Sequence, residues 1–261
     1  MAGYKIEKFP KSRIATIDVC AVGRQKHHVA AMIEIDVTES RKKIKKYKTE
    51  INKISFTAWL IKVISITIKD YDRVASFLQG NKRVIIFDDI SMSLVVEKEI
   101  DGQKVPIPLL IEKANERSIE SISKQISDAK NEIITEKNIV LERRANLLEQ
   151  VYYLLPGFIR RFFWRFLLKR PHFAFMKMGN VAVTSLGMTR SINGWFIPIS
   201  VHPICFGIGS ITKKPVVVDD NIVIRDILNM TILVDHDVID GAPMVRFISE
   251  LSDNIEKGME L

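Results

Sequence analysis

Cysteine is scarce in this 261-residue chain: Cys20 and Cys205 are the only two. They lie far apart in apolar surroundings, with no ligand spacing to histidine or to each other, so neither a disulfide framework nor a cysteine metal site is expected. They read as buried thiols of a reducing compartment, and cytoplasm is the default location. Long apolar runs are also missing. "WLIKVISITI" is shorter than a bilayer span and is interrupted by Lys62, while the N-terminal "MAGYKIEKFPKSR" lacks an apolar core, so neither a spanning helix nor a signal peptide is expected. There is no internal repeat, low-complexity linker or shift of composition, and one compact domain over 1–261 is the simplest organisation.

What is present is globular in character, with 47% hydrophobic and 27% charged residues and a formal charge of +8. That excess favours an anionic partner, whether a phosphorylated cofactor, nucleic acid or an acidic membrane surface. The lysine-rich stretch "TESRKKIKKYKTE" reads as a helix opening at Thr38 or Ser40. Its cations Arg41, Lys42, Lys43, Lys45, Lys46 and Lys48 have no interleaved aromatic platform, which favours a solvated face over nucleic-acid binding.

"VAAMIEIDV" (29–37) is expected as a strand, "SFTAWLIKVISITIKDY" (55–71) as a buried helix, and "RVIIFD", "ISMSLVVE" and the proline-containing "QKVPIPLLIEKA" as extended segments. Ile119, Ile122, Ile126 and Ile133 recur at helical spacing, and helix is expected toward Tyr153, ending at Pro156 and Gly157. The segment 157–173, "GFIRRFFWRFLLKRPHF", is dense in aromatics and arginines. It suits a helix packed on a neighbouring subunit, with arginines reaching outward, or an interfacial helix on a membrane surface. Strands return in "VAVTSL" (181–186), "ICFGIGSI" (204–211), "PVVVDDNIVI" with a turn at 219–221, and "DILNMTILVDH" (226–236). The mixed order implies an α/β or α+β fold.

The last strand ends at His236, and a helix begins near Asp240. Asp240 suits the N-cap, Gly241 the turn and Pro243 the first helical turn, with Met244, Phe247, Ile248, Leu251 and Ile255 on the apolar face. Those residues need no catalysis. A histidine at a strand end with a carboxylate four positions later, and no second His or Cys nearby, points instead to acid–base work without a metal.

The string His236-Asp237-Val238-Ile239-Asp240-Gly241 is a His-x-x-x-Asp-Gly motif. Together with "VAVTSLGM", "WFIPISVHPICFGIGSI", "KKPVVVDDNIVIRD" and the earlier "EIDVTESRKKI", "ISFTAWLIKVISITIKDY" and "VPIPLLIEKANERSIESISKQI", it resembles the 2-oxoacid dehydrogenase acyltransferase catalytic domain. Chloramphenicol acetyltransferases share that fold. The resemblance spans nearly the whole chain except about 138–178, an atypical basic and aromatic insert. It implies a homotrimer of mixed α/β subunits, a mixed sheet with helices, and active sites at subunit interfaces. It also implies coenzyme A as acyl substrate, with His236 as general base on a thiol of coenzyme A or dihydrolipoamide. A histidine near pKa 6.5 and a thiol near 8.5 differ by about 2 units, roughly 2.7 kcal/mol, which positioning can cover.

By the same resemblance a strand hydroxyl donates to the oxyanion. Thr184 is the matching residue and Ser185 the neighbour if the register is one off. Asp240 corresponds to a structural carboxylate held by an N-terminal arginine, for which "GRQKHHVAA" offers Arg24, with Arg13 as the alternative. The chain departs from the multidomain pattern: no lipoyl domain, Ala/Pro linker or apolar C-terminal tail is visible, and Asp237 follows the motif histidine where a basic residue is common. An isolated trimer is therefore expected, taking lipoamide from a separate lipoylated protein or using another small nucleophile. The alternative is a non-catalytic trimeric scaffold that binds a partner or membrane surface through 157–173.

Overall fold

The computed structural model describes residues 2–7, 9, 12–50, 54–80, 82–100, 103–131, 151–186 and 193–261. The chain runs α1 (Ser12–Gly23), β1 (His28–Asp36), α2 (Thr38–Glu50), α3 (Phe56–Asp70), a 3-10 turn (Asp72–Ala75), β2 (Phe77–Gln79), β3 (Arg83–Ile85), β4 (Met92–Ile100), β5 (Gln103–Ile111) and α4 (Ile119–Asn131). It continues with α5 (Gly157–Leu168), α6 (Pro171–Met178), β6 (Val181–Ser185), β7 (Ile204–Val218), β8 (Asn221–Asp235) and α7 (Gly241–Lys257).

Six strands form one mixed sheet in the order β1-β8-β7-β6-β4-β5, and β2 with β3 makes a separate ribbon. The segments expected at 204–211, 215–224 and 226–236 are one hairpin of two 15-residue strands. Its turn is Asp219–Asp220, both with positive φ, which short acidic side chains tolerate better than most. β6 lies parallel to both β4 and β7, and the remaining pairs are antiparallel.

Ser55 caps α3 by accepting the Ala58 N–H at 3.1 Å, and the apolar run that follows is buried on nearly every side. Helices α2, α3, α4 and α7 cover one face of the sheet. Val183, Phe206 and Ile232, aligned across β6, β7 and β8, belong to this core. The segment around Trp195–Pro198 runs over the other face, close against Gly207. There the Trp195 indole N–H donates to the Ile33 carbonyl at 2.9 Å.

The basic helix α2 spends cations on local partners. Lys42 pairs with Glu39 at 2.8 Å, Arg41 with Asp226 at 2.7 Å, and Lys43 donates to the Lys257 carbonyl at 2.7 Å. These contacts suit the solvated-face reading. Two sequence expectations differ from the structure. "RVIIFD" keeps strand character only over Arg83–Ile85, because its partner β2 is three residues long. The segment 157–173 falls in two helices, split where Pro171 offers no N–H and Arg170 is held out of helical conformation (φ −119°, ψ 81°). Residues 151–154 are helical as expected, but the stretch between Asn131 and Val151, Ile133 included, lies outside the described residues.

The link from α6 to β6 depends on Gly179, at φ 73° and ψ −171°, a region essentially limited to glycine. A Cβ there would lie 2.2 Å from the Ser91 carbonyl oxygen. Gly179→Ala is expected to cost about 2–3 kcal/mol, read as a lowered midpoint in urea unfolding; an unchanged midpoint would contradict the close approach.

Candidate active site

β8 lies between β1 and β7 and is buried from Ile227 to Asp235, and its end delivers residues 235–240 to the edge of the core. The stretch 24–27, between α1 and β1, clamps this loop. Lys26 Nζ pairs with Asp235 at 2.5 Å, where the carboxylate is buried and the ammonium mostly so. The His236 N–H donates to the His27 carbonyl at 2.9 Å, and the His27 ring meets Asp237 at 2.8 Å. Asp235 also accepts the Asp237 N–H at 3.3 Å. The hydrogen bond to Asp237, reinforced by its charge, raises the pKa of His27.

The His236 side chain is left exposed. It borders a cavity of about 350 Å³ between the end of α3 and the start of α7, lined by Tyr71, Asp72, Arg73, the loop 236–240 and Pro243. The Tyr71 ring packs edge-on against Phe247 with centroids 5.8 Å apart, tying that wall to the core. Tyr71, Asp72 and Arg73 were not legible as site residues, because nothing in their local pattern distinguishes a helix end at a cavity from any other helix end.

The structure does not bring Arg24 and Asp240 together. Both are exposed, and neither makes a side-chain ion pair among the described residues. Asp240 occupies the N-cap of α7, but its side chain accepts no capping bond. Arg13 is likewise exposed, on α1. The N-terminal basic stretch instead pairs Lys26 with Asp235, one residue before the histidine, and His27 with Asp237. Gly241 meets no steric demand in the single chain, since a Cβ there would have nothing within 4 Å.

Face parity separates Thr184 from Ser185. Thr184 aligns with Gly207 and Thr231, on the face opposite the helices. Ser185 aligns with Ile208 and Met230, which belong to the core. Thr184 is thus level with a residue five positions before His236 and two strands away. Strand geometry then puts them roughly 20 Å apart within one chain, far beyond hydrogen-bonding reach.

A second histidine pair underlies the loop. His28 Nε2 meets the His202 carbonyl at 2.9 Å, and His202 Nε2 meets the Met178 carbonyl at 2.9 Å, with Ser200 Oγ 3.3 Å from its Nδ1. A neutral ring protonated on Nε2 satisfies both His202 contacts. Burial lowers the pKa of His28 and takes His202 down to about 4. The neighbouring Cys205 thiol is pushed up to about 12, chiefly by burial. Among the described residues no group of three His, Cys, Asp or Glu side chains converges to hold a metal ion.

Comparison with known proteins gives these geometries a setting. The model of the 2-oxoacid dehydrogenases acyltransferase (catalytic domain) family matches residues 12–138 and 170–261. The lipoamide acyltransferase component of the branched-chain alpha-keto acid dehydrogenase complex of Bacillus subtilis is 26% identical over 235 residues, covering 88% of this chain and 46% of that protein. The dihydrolipoyllysine-residue acetyltransferase component of the pyruvate dehydrogenase complex of Mycoplasma genitalium is 25% identical over 231 residues, 84% of this chain and 50% of its own. The chain thus spans about half the length of these curated relatives. A probable dihydrolipoamide acetyltransferase from Listeria monocytogenes has the same fold, with TM-score 0.71, 23% identity and coverage of 99% and 97% of the two chains. So does the dihydrolipoamide acetyltransferase of Azotobacter vinelandii, with TM-score 0.69, 16% identity and coverage of 97% and 92%.

The buried histidine gives the fold an acid limit. Unfolded His202 takes a proton near pH 6.5, whereas the folded ring resists it until about 4. The resulting stability is therefore complete above pH 6.5 and is lost as pH falls through this window, by roughly 3 kcal/mol. His28 acts in the same direction. His202→Gln, which retains a donor for the Met178 carbonyl, is expected to flatten the pH dependence of the urea midpoint between pH 4 and 6.5. A slope identical to wild type would reject this origin.

Proposed function

The chain belongs to the 2-oxoacid dehydrogenase acyltransferase catalytic-domain family, and on that premise we propose that it transfers an acyl group between coenzyme A and a thiol such as dihydrolipoamide, with His236 as general base. The observation that carries this reading is the exposed His236 side chain at the mouth of a cavity, on a loop whose neighbouring atoms are fixed by Lys26 and His27. In the proposed reaction the imidazole takes the thiol proton and the sulfur attacks the thioester carbonyl, forming a carbon–sulfur bond and an oxyanion. Collapse breaks the original carbon–sulfur bond, and the departing thiolate takes the proton back from the imidazolium. A base whose pKa lies within a few units of the thiol can do this in both directions.

The oxyanion needs a donor, and Thr184 is assigned that role. Its separation from its own His236 requires the pair to come from two copies, which supports a homotrimer with sites at the interfaces. A serine, a histidine and an asparagine have been investigated for catalytic roles in the Azotobacter vinelandii protein; there the serine lies 52 positions before the histidine and the asparagine four after. Thr184 and Asp240 stand at those same separations from His236. Asp240 and Gly241 are assigned to framing the turn, and a lipoylated protein is the proposed macromolecular partner.

Acyl transfer from a panel of acyl-coenzyme A donors to dihydrolipoamide tests the assignment. His236→Ala is expected to lower kcat by about a hundred- to ten-thousandfold, and Thr184→Val by about a hundred- to thousandfold. Ser185→Ala is expected to stay near wild type. Retained turnover in His236→Ala rejects the base, and a large loss in Ser185→Ala with none in Thr184→Val moves the donor by one residue.

A further inference from the structure

We infer that the outward face of α5 and α6 is a docking surface for an anionic lipid bilayer. Residues 157–178 contain Arg160, Arg161, Arg165, Lys169, Arg170 and Lys177 and no aspartate or glutamate. On α5 the rings of Phe158, Phe162 and Phe166 recur every four residues and are 68%, 62% and 42% exposed. Phe163 beside them and Phe173 and Met176 on α6 are exposed too. No residue of α5 is fully buried.

The helix is nonetheless held firmly from its other side. Asp18 of α1, fully buried, accepts from Arg160 Nε at 2.6 Å and from the Tyr152 hydroxyl at 3.0 Å. The Trp164 indole N–H donates to that same hydroxyl at 3.2 Å. Arg161 lies 3.7 Å from the other Asp18 oxygen. The anchoring side therefore uses Arg160, while Lys169, Arg170 and Lys177 remain exposed with the phenylalanines. Arg165, also exposed, reaches back to Gln25 at 3.2 Å.

Two of these outer cations flank exposed rings. The Arg170 guanidinium lies 4.0 Å from the centroid of Phe166, and Lys177 Nζ lies 5.9 Å from that of Phe173. Phenylalanines flanked by cations, on a segment without carboxylates, complement a layer of anionic headgroups over acyl chains: the rings enter the boundary and the cations meet phosphates. A protein surface of mixed charge offers no such complement. The family model's match stops at 138 and resumes at 170, so α5 lies outside the residues it matches. No described helix is long and apolar enough to cross a membrane, and the docking is peripheral.

The test is flotation of the full chain with vesicles of phosphatidylcholine alone and of phosphatidylcholine containing one-third phosphatidylglycerol. Wild type is expected to float with the anionic vesicles and to be released by high salt. The triple variants Phe158/Phe162/Phe166→Ser and Lys169/Arg170/Lys177→Ser are each expected to lose binding by about tenfold or more. Failure of wild type to float with anionic vesicles overturns the inference. So does flotation of both variants at wild-type levels, which would put the lipid contact elsewhere. Larger assemblies of wild type that the phenylalanine variant fails to form, without vesicle binding, would also overturn it and assign the face to a second copy.

Discussion

The pairing of β8 between β1 and β7 is the constraint on which the rest of the molecule depends. Nine consecutive residues of β8, from Ile227 to Asp235 in register with β1, place the end of the strand beside the stretch Lys26–His28. That neighbourhood makes the Lys26–Asp235 ion pair and the bond from His236 to His27 possible. The same strand fixes Thr231 against Gly207 and Gly207 against Thr184. A slip of one residue would exchange the faces of Thr184 and Ser185 relative to this ladder and turn core residues outward.

Much of this was legible because it is local. Ser55 before an apolar run marks the start of α3, Asp219–Asp220 marks a turn between β-branched runs, and Pro243 with the apolar spacing from Met244 to Ile255 marks α7. The long hairpin was readable as strands but not as two continuous ones, because Lys213, Lys214 and Pro215 interrupt the apolar pattern where β7 leaves the core. Partners distant in sequence were harder. Lys26 and Arg24 belong to the same basic stretch, and only the register of β1 on β8 selects Lys26 over Arg24 as a partner for Asp235. The choice of Thr184 over Ser185 rests likewise on alternation across three strands. The break at Arg170–Pro171 was written in the sequence as a proline, yet the apolar and basic pattern runs across it unchanged.

The candidate site and α5 meet at one short segment. Gln25, which accepts from Arg165 of α5, directly precedes Lys26 and His27, which hold the histidine loop. Gly23, at the end of α1, allows close approach to Ser200, since a Cβ there would lie 2.8 Å from the Ser200 carbonyl oxygen. Ser200 in turn contacts His202, whose ring meets the Met178 carbonyl at the end of α6. Residues 23–28 thus contact α5, the histidine loop and the segment at Ser200.

The central claim is that a working site combines His236 of one copy with Thr184 of another. Mixing inactive His236→Ala and Thr184→Val chains, by joint unfolding and refolding, tests it directly. Hybrid assemblies then contain some interfaces with both side chains intact, and the account predicts acyl transfer well above that of either variant alone. Activity of the mixture no greater than the average of the two variants, in assemblies proven to be mixed, would contradict it.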